Sequence, residues 1–93
     1  MNRKQLMKII KAMANPKRME IVLHLEKRRV LNVSEVSEKL DLSFKSTSKH
    51  LHKLEEAGLI GRKKRMNMVY YFLSADLSKE VRDVINLFAR IGE

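Results

Sequence analysis

Lys45, Ser48, Lys49 and His52 recur at i, i+3, i+4 and i+7, so a helix would align them on one face. Each can donate a hydrogen bond, and the two lysines carry full positive charge. No acid stands among them; Glu55 and Glu56 enter only at the far end of the stretch. A helix that needs only to be soluble mixes both signs along its exposed face. This one is suited to set its N-terminal half against an anion and lift its C-terminal end away. The major groove of B-DNA admits such a helix, and Ser and Lys both bond base edges or phosphates. The competing reading is an ordinary amphipathic helix with a solvated basic face.

A second basic set follows, Arg62, Lys63, Lys64 and Arg65. Four adjacent cations repel one another unless solvated or bound to anions. Beside a basic helix, contact with phosphate or the minor groove is the expected role. Other chemistry is poorly supported. His24, His50 and His52 have no nucleophile or carboxylate partner at a readable spacing, and there is no Gly-rich phosphate loop. No catalytic residue, cofactor or metal site is therefore expected, and the chain is not read as an enzyme. His24 reads as packed or partly exposed, His50 as structural beside the buried stripe, and His52 as a phosphate contact with Lys45 and Lys49.

The first basic set needs a helix, and the sequence supplies both of its ends. Ser43 suits the N-cap and Gly58 the left-handed position past the last turn. Thr47, Leu51 and Leu54, with Ala57 nearby, form the apolar stripe. Before it, Asn32-Val33-Ser34-Glu35 has the form of a capping box and opens a short helix buried through Val33, Val36 and Leu40. The turn Asp41-Leu42 is short, so the two helices make a helix-turn-helix. After Gly58 the period changes to 2. Residues 59–64 and 68–73 read as a hairpin, or wing, turning at Arg65-Met66-Asn67, with Asn67 suited to positive φ. Tyr70 and Tyr71 read as strand and core residues.

Around this unit lie three more helices. Residues 2–14 show a stripe of Leu6, Ile10 and Met13, flanked by Met7 and Ile9, opposite a solvated face of Lys4, Lys8 and Lys11. Asn15-Pro16 restarts the chain as a second helix to about Lys27, Asn15 as cap and Pro16 where no N–H is needed. Its Met19, Ile21, Val22, Leu23 and Leu25 cover much of its circumference, so it is expected to be central. Val30-Leu31 is a short extended piece. Asp76 is expected to cap a last helix to about Ile91, with Leu77, Val81, Val84, Ile85, Phe88 and Ile91 as its stripe. The fold expected is mainly α with a small β-hairpin, in the order α-α-(short β)-α-α-β-β-α. Leu6, Ile10 and Met13 with Leu77, Val81, Val84 and Phe88 are the candidate dimer interface. The alternative is that both terminal helices complete a monomeric core.

Ninety-three residues, 44% hydrophobic and 33% charged, describe a single globular domain, residues 1–93. A net charge of +9 favours nucleic acid or an anionic membrane surface as partner. Cysteine is absent, which removes disulfides and thiolate metal ligands. No apolar run approaches a membrane span, and the basic start leads into an amphipathic pattern without a signal-peptide core. A cytoplasmic protein, nucleoid-associated when bound to DNA and with no membrane partner, is expected. The charge is uneven: residues 1–29 hold nine Lys/Arg against two Glu, whereas residues 76–93 are close to neutral.

With the elements in order, the chain resembles the ArsR/SmtB family of bacterial and archaeal winged-helix transcriptional repressors. The residues that carry the resemblance are Lys11-Ala12-Met13-Ala14-Asn15-Pro16-Lys17-Arg18, Val33 to Leu40, and Leu42-Ser43 into Ser48-Lys49-His50-Leu51. They continue with Leu54-Glu55-Glu56-Ala57-Gly58-Leu59-Ile60 and the strand Val69-Tyr70-Tyr71-Phe72-Leu73. The match spans about residues 9–73 and rests on order and spacing. It implies a symmetric dimer on an inverted repeat of double-stranded DNA, with the terminal helices at the interface. Groove-facing positions would fall on Phe44, Lys45, Ser48 and Lys49. Phe44 departs from the polar residue usual there; folding back onto the domain is expected in preference to contact with a thymine methyl. Many members bind metal through cysteines in the first helix of the helix-turn-helix or through Asp and His on the last helix. Here the corresponding stretch Asn32–Val36 has no cysteine and the last helix no histidine. Metal sensing is not expected, and the effector stays open. The wing also has Met66-Asn67 where a glycine turn is common.

Two functions compete at this point. One is a DNA-binding transcriptional regulator, as a repressor, without a metal switch. The other is a winged-helix interaction module whose basic face meets an acidic protein. RNA is a weaker variant of the first, because little aromatic surface is offered for stacking unpaired bases.

Overall fold

The computed structural model describes residues 1–92, with the elements α1 (Arg3–Met13), α2 (Pro16–Arg28), β1 (Leu31–Asn32), α3 (Val33–Leu40), α4 (Phe44–Glu56), β2 (Ile60–Arg65), β3 (Met68–Leu73) and α5 (Lys79–Ile91). This is the expected order. Short polar side chains set the helix starts. The Asn15 Oδ1 accepts from the Arg18 N–H at 3.0 Å, and the Ser43 Oγ from the Ser46 N–H at 3.1 Å. At α3 the box is reciprocal: the Asn32 N–H donates to Glu35 Oε1 at 2.9 Å and the Glu35 N–H to Asn32 Oδ1 at 2.8 Å. Asn2 and Gln5 make the same box at α1, a signal overlooked in the sequence. Each such cap contributes about 1 kcal/mol.

Several local features differ from expectation. Strand β1 takes Leu31–Asn32 rather than Val30-Leu31, and β2 runs to Arg65, so the wing turn is Met66-Asn67 alone. The Ser78 Oγ, not Asp76, caps α5, accepting from the Val81 N–H at 3.3 Å. Asp76 lies in the preceding turn, where its N–H donates to the Ser74 Oγ. In the wing the left-handed residue is Met66 (φ 56°), not Asn67.

Helix α4 ends as a Schellman closure. The Leu59 N–H donates to the Leu54 carbonyl and the Gly58 N–H to the Glu55 carbonyl, both at 3.0 Å, with Gly58 at φ 83°. Leu54 and Leu59 are both fully buried, so the closure also ties the wing to the core. Asp41, at φ 53°, makes the left-handed turn between α3 and α4.

The sheet is antiparallel in the order β1-β3-β2, with Leu31 opposite Tyr71 and Arg62 opposite Tyr71 from the other side. Helix α2 is central, in contact with α1, α3, α4, α5 and β3. Its Ile21, Val22 and Leu25 meet Val36, Leu51, Leu54, Leu59, Val81 and Ile85 in one core. No helix among the described residues is long and apolar enough to cross a membrane.

Candidate nucleic-acid interface

Helix α4 is fixed by what it buries. Thr47 is wholly inaccessible, and its Oγ1 donates to the Ser43 carbonyl at 2.8 Å, which satisfies the hydroxyl inside the core. Leu51 and Leu54 continue that face inward. The opposite side therefore points outward. Lys45, Lys49 and His52 are exposed, Ser48 is half-buried between them, and together with Phe44, Lys53 and Glu56 they form one shallow surface. The structure thus brings the four spaced residues together. Lys53 also belongs to this surface. Its distance of four residues from Lys49 would have revealed it.

Phe44 does not fold back onto the domain. It is 65% exposed at the first position of the helix. The His52 Nε2 lies 3.6 Å from Glu56 Oε2, one turn on, both side chains exposed. This pair is weak in water, and it leaves Lys45, Lys49 and Lys53 as cations of the ridge with no acid within salt-bridge distance among the described residues.

His50 sits at the edge of the buried face. Its Nδ1 is inaccessible and has no hydrogen-bond partner. Burial, followed by the charges of Arg18, Lys53 and Lys17, holds its pKa below the ordinary imidazole value. It is a packed, neutral residue. His24 is lowered too, first by burial and then by Lys39, Lys27 and Arg28, with Glu20 opposing.

In the wing, Arg62, Lys63, Lys64 and Arg65 are all exposed but do not form one face. Strand alternation sends Arg62 and Lys64 to one side and Lys63 and Arg65 to the other. Arg62 is tied down by an ion pair from its Nε to Glu55 Oε2 at 3.2 Å, whereas none of the other three has an acid within salt-bridge distance among the described residues. Gly61 lies opposite Phe72, whose ring lies over it; a Cβ on Gly61 would stand 2.8 Å from the Phe72 ring.

The candidate dimer residues divide into two groups. Met13, Leu77 and Val81 are buried in the protomer's own core, and Leu6 is half-buried against it. They cannot present a free apolar face. Ile10 and Phe88 are exposed and Val84 is half-buried. The outward apolar surface of α1 is Met7 and Ile10, and that of α5 is Leu87, Phe88 and Ile91, while Val84 packs against the core as Leu6 does. Among the described residues no cluster of His, Asp or Glu is placed to hold a metal ion.

Residues 13–61 match the family model of a helix-turn-helix domain. The chain is 39% identical over 83 residues to the transcriptional activator HlyU of Vibrio cholerae, covering 89% of this chain and 73% of that protein. The structure of reduced HlyU from Vibrio cholerae superposes with a TM-score of 0.83 at 36% identity, covering 95% of this chain and 88% of the other. The transcriptional repressor PagR of Bacillus anthracis superposes with a TM-score of 0.78 at 28% identity, covering 91% and 93%. These are regulators rather than enzymes, and in a helix-turn-helix the second helix is the one that enters the major groove of double-stranded DNA. The chain belongs to the helix-turn-helix family as an ArsR/SmtB-like winged-helix transcriptional regulator that binds DNA.

Proposed function

We propose that the chain acts as a homodimeric repressor on an inverted repeat, reading bases with α4 and gripping the backbone with the wing. One observation carries this: Lys45, Ser48 and Lys49 stand on the N-terminal half of a helix whose other face is locked in the core. A second copy is supported by the outward Leu87, Phe88 and Ile91 of α5 and Met7 and Ile10 of α1, because a small domain seldom leaves so much apolar surface uncovered. A two-fold pair would set its two α4 helices about 34 Å apart, one turn of DNA. Such a dimer represses by occupying its site. PagR is described as a repressor and HlyU as an activator, so the sign of regulation needs its own measurement. The protein works in the cytoplasm, on the chromosome. Without cysteine, and without histidine on α5, it does so independently of Zn, Ni, Cd or Cu.

The test is selection of duplexes from a random pool, followed by sedimentation of the complex and transcription in vitro from a promoter overlapping the selected site. Two chains per site, a two-fold symmetric sequence and reduced transcript are expected. One chain per site overturns the dimer, and more transcript overturns repression. Failure to retain any duplex would move the basic face to an acidic protein partner.

A further inference from the structure

The exposed Phe44 ring is unlike its neighbours. It stands on the first turn of α4, one turn before Ser48 and next to Lys45, and it is 65% exposed. The turn that carries it is held at both sides: the Ser43 Oγ accepts from the Ser46 N–H at 3.1 Å, and Thr47 is pinned to the Ser43 carbonyl at 2.8 Å. Rotation of the helix cannot bury the ring without expelling Thr47 and Leu51 from the core, where both are almost completely inaccessible.

A phenyl ring neither donates nor accepts a conventional hydrogen bond. Of the groups that the four base pairs present in the major groove, only the 5-methyl of thymine is apolar. The first residues of a recognition helix are those that reach base edges. We infer that Phe44 is a specificity-determining residue that reads thymine by packing its ring on the 5-methyl group, in each half-site. This rests on the proposal that α4 enters the major groove.

Uracil tests this directly, because it removes the methyl group and leaves every hydrogen-bonding group of the base in place. The probe is a duplex selected by the protein from a random pool, then remade with deoxyuridine at each thymine in turn. Binding is read by fluorescence anisotropy for the wild type, Phe44→Ala and Phe44→Leu. One thymine per half-site is expected whose replacement weakens wild-type binding about fourfold, the worth of one methyl withdrawn from water. Phe44→Ala should bind the thymine duplex correspondingly less well and ignore the uracil substitution. Phe44→Leu should keep part of the discrimination. Phe44 is exposed, so neither variant disturbs the core. If the wild type selects a sequence but is indifferent to uracil at every position, this inference fails while the DNA-reading function stands. If Phe44→Ala remains as sensitive to uracil as the wild type, another residue meets the methyl and the inference fails. If no sequence is selected at all, both fall together.

Discussion

The Arg62 Nε lies 3.2 Å from the Glu55 Oε2, joining the first strand of the wing to the last turn of α4. The Glu55 side chain is 30% exposed and that of Arg62 59%, so the pair adds at most about 1 kcal/mol to stability. Its larger effect is on roles. One of four adjacent cations is paired with an acid, whereas Lys63, Lys64 and Arg65 have none within salt-bridge distance among the described residues. Each phosphate neutralised contributes about 0.9 to the slope of log K against log salt. Lys64→Ala or Arg65→Ala should flatten that slope by about this amount on specific and random duplexes alike. Arg62→Ala should leave it nearly unchanged. Anisotropy titrations at several salt concentrations decide; an equal effect of all three variants would show that Arg62 leaves Glu55 for DNA.

Lys49 lies farther along the exposed ridge of α4, on the same shallow surface as Ser48. Lys49→Ala should cost about 1–3 kcal/mol on a selected site and much less on scrambled duplex. Ser48→Ala should act in the same direction and more weakly. Equal losses on both duplexes would make Lys49 a phosphate contact only.

The outward faces of α1 and α5 should behave differently from the residues behind them. Phe88→Asp or Ile10→Asp places a charge on an exposed position. Either should convert the dimer to a folded monomer in sedimentation at micromolar concentration and weaken operator binding. Val81→Asp, at 1% exposure, should unfold the protomer itself, because an unpaired charge would enter its core. A wild-type monomer at these concentrations would remove the interface.

Acidification should destabilise the protein through His50 and His24. Both pKa values lie below the ordinary 6.5 in the folded state. The unfolded chain then binds more protons, so the stability from neutral imidazoles is complete above about pH 6.5 and is lost as pH falls through it toward the folded values. His50→Gln should reduce the pH dependence of the melting temperature between about pH 7 and pH 5. An unchanged profile in that variant would show that His50 charges freely in the fold.

Gly61→Ala should lower stability by about 0.5–1.5 kcal/mol, the cost of pushing the half-buried Phe72 ring off its rotamer. The added methyl would stand 2.8 Å from the Phe72 ring on the facing strand. Chemical denaturation measures it. A neutral result would mean that the ring swings aside freely.

The helix starts and stops were legible in the sequence because they are local. Asn15-Pro16, the Asn32–Glu35 box, Ser43 and Gly58 each satisfy backbone groups within a few residues, and no distant contact is needed to recognise them. The wing hairpin and the basic ridge of α4 are legible for the same reason, since period alone sorts residues onto faces, although the turn is Met66-Asn67 and not the three residues Arg65-Met66-Asn67. What covers a face is another matter. Leu6, Ile10 and Met13 share one stripe, yet Met13 is in the core and Ile10 in solvent; Val81 and Phe88 divide in the same way. Spacing shows that a stripe exists, while its packing against α2 decides which edge of it is sealed. Local pattern also misjudged Asp76, where Ser78 caps, and Asn67, where Met66 takes the positive φ. The direction of Phe44 and the pairing of Arg62 with Glu55 were out of reach for sequence spacing. Both depend on the rotation of α4 about its axis, and that rotation is set by Thr47, Leu51 and Leu54 finding their places against the rest of the core.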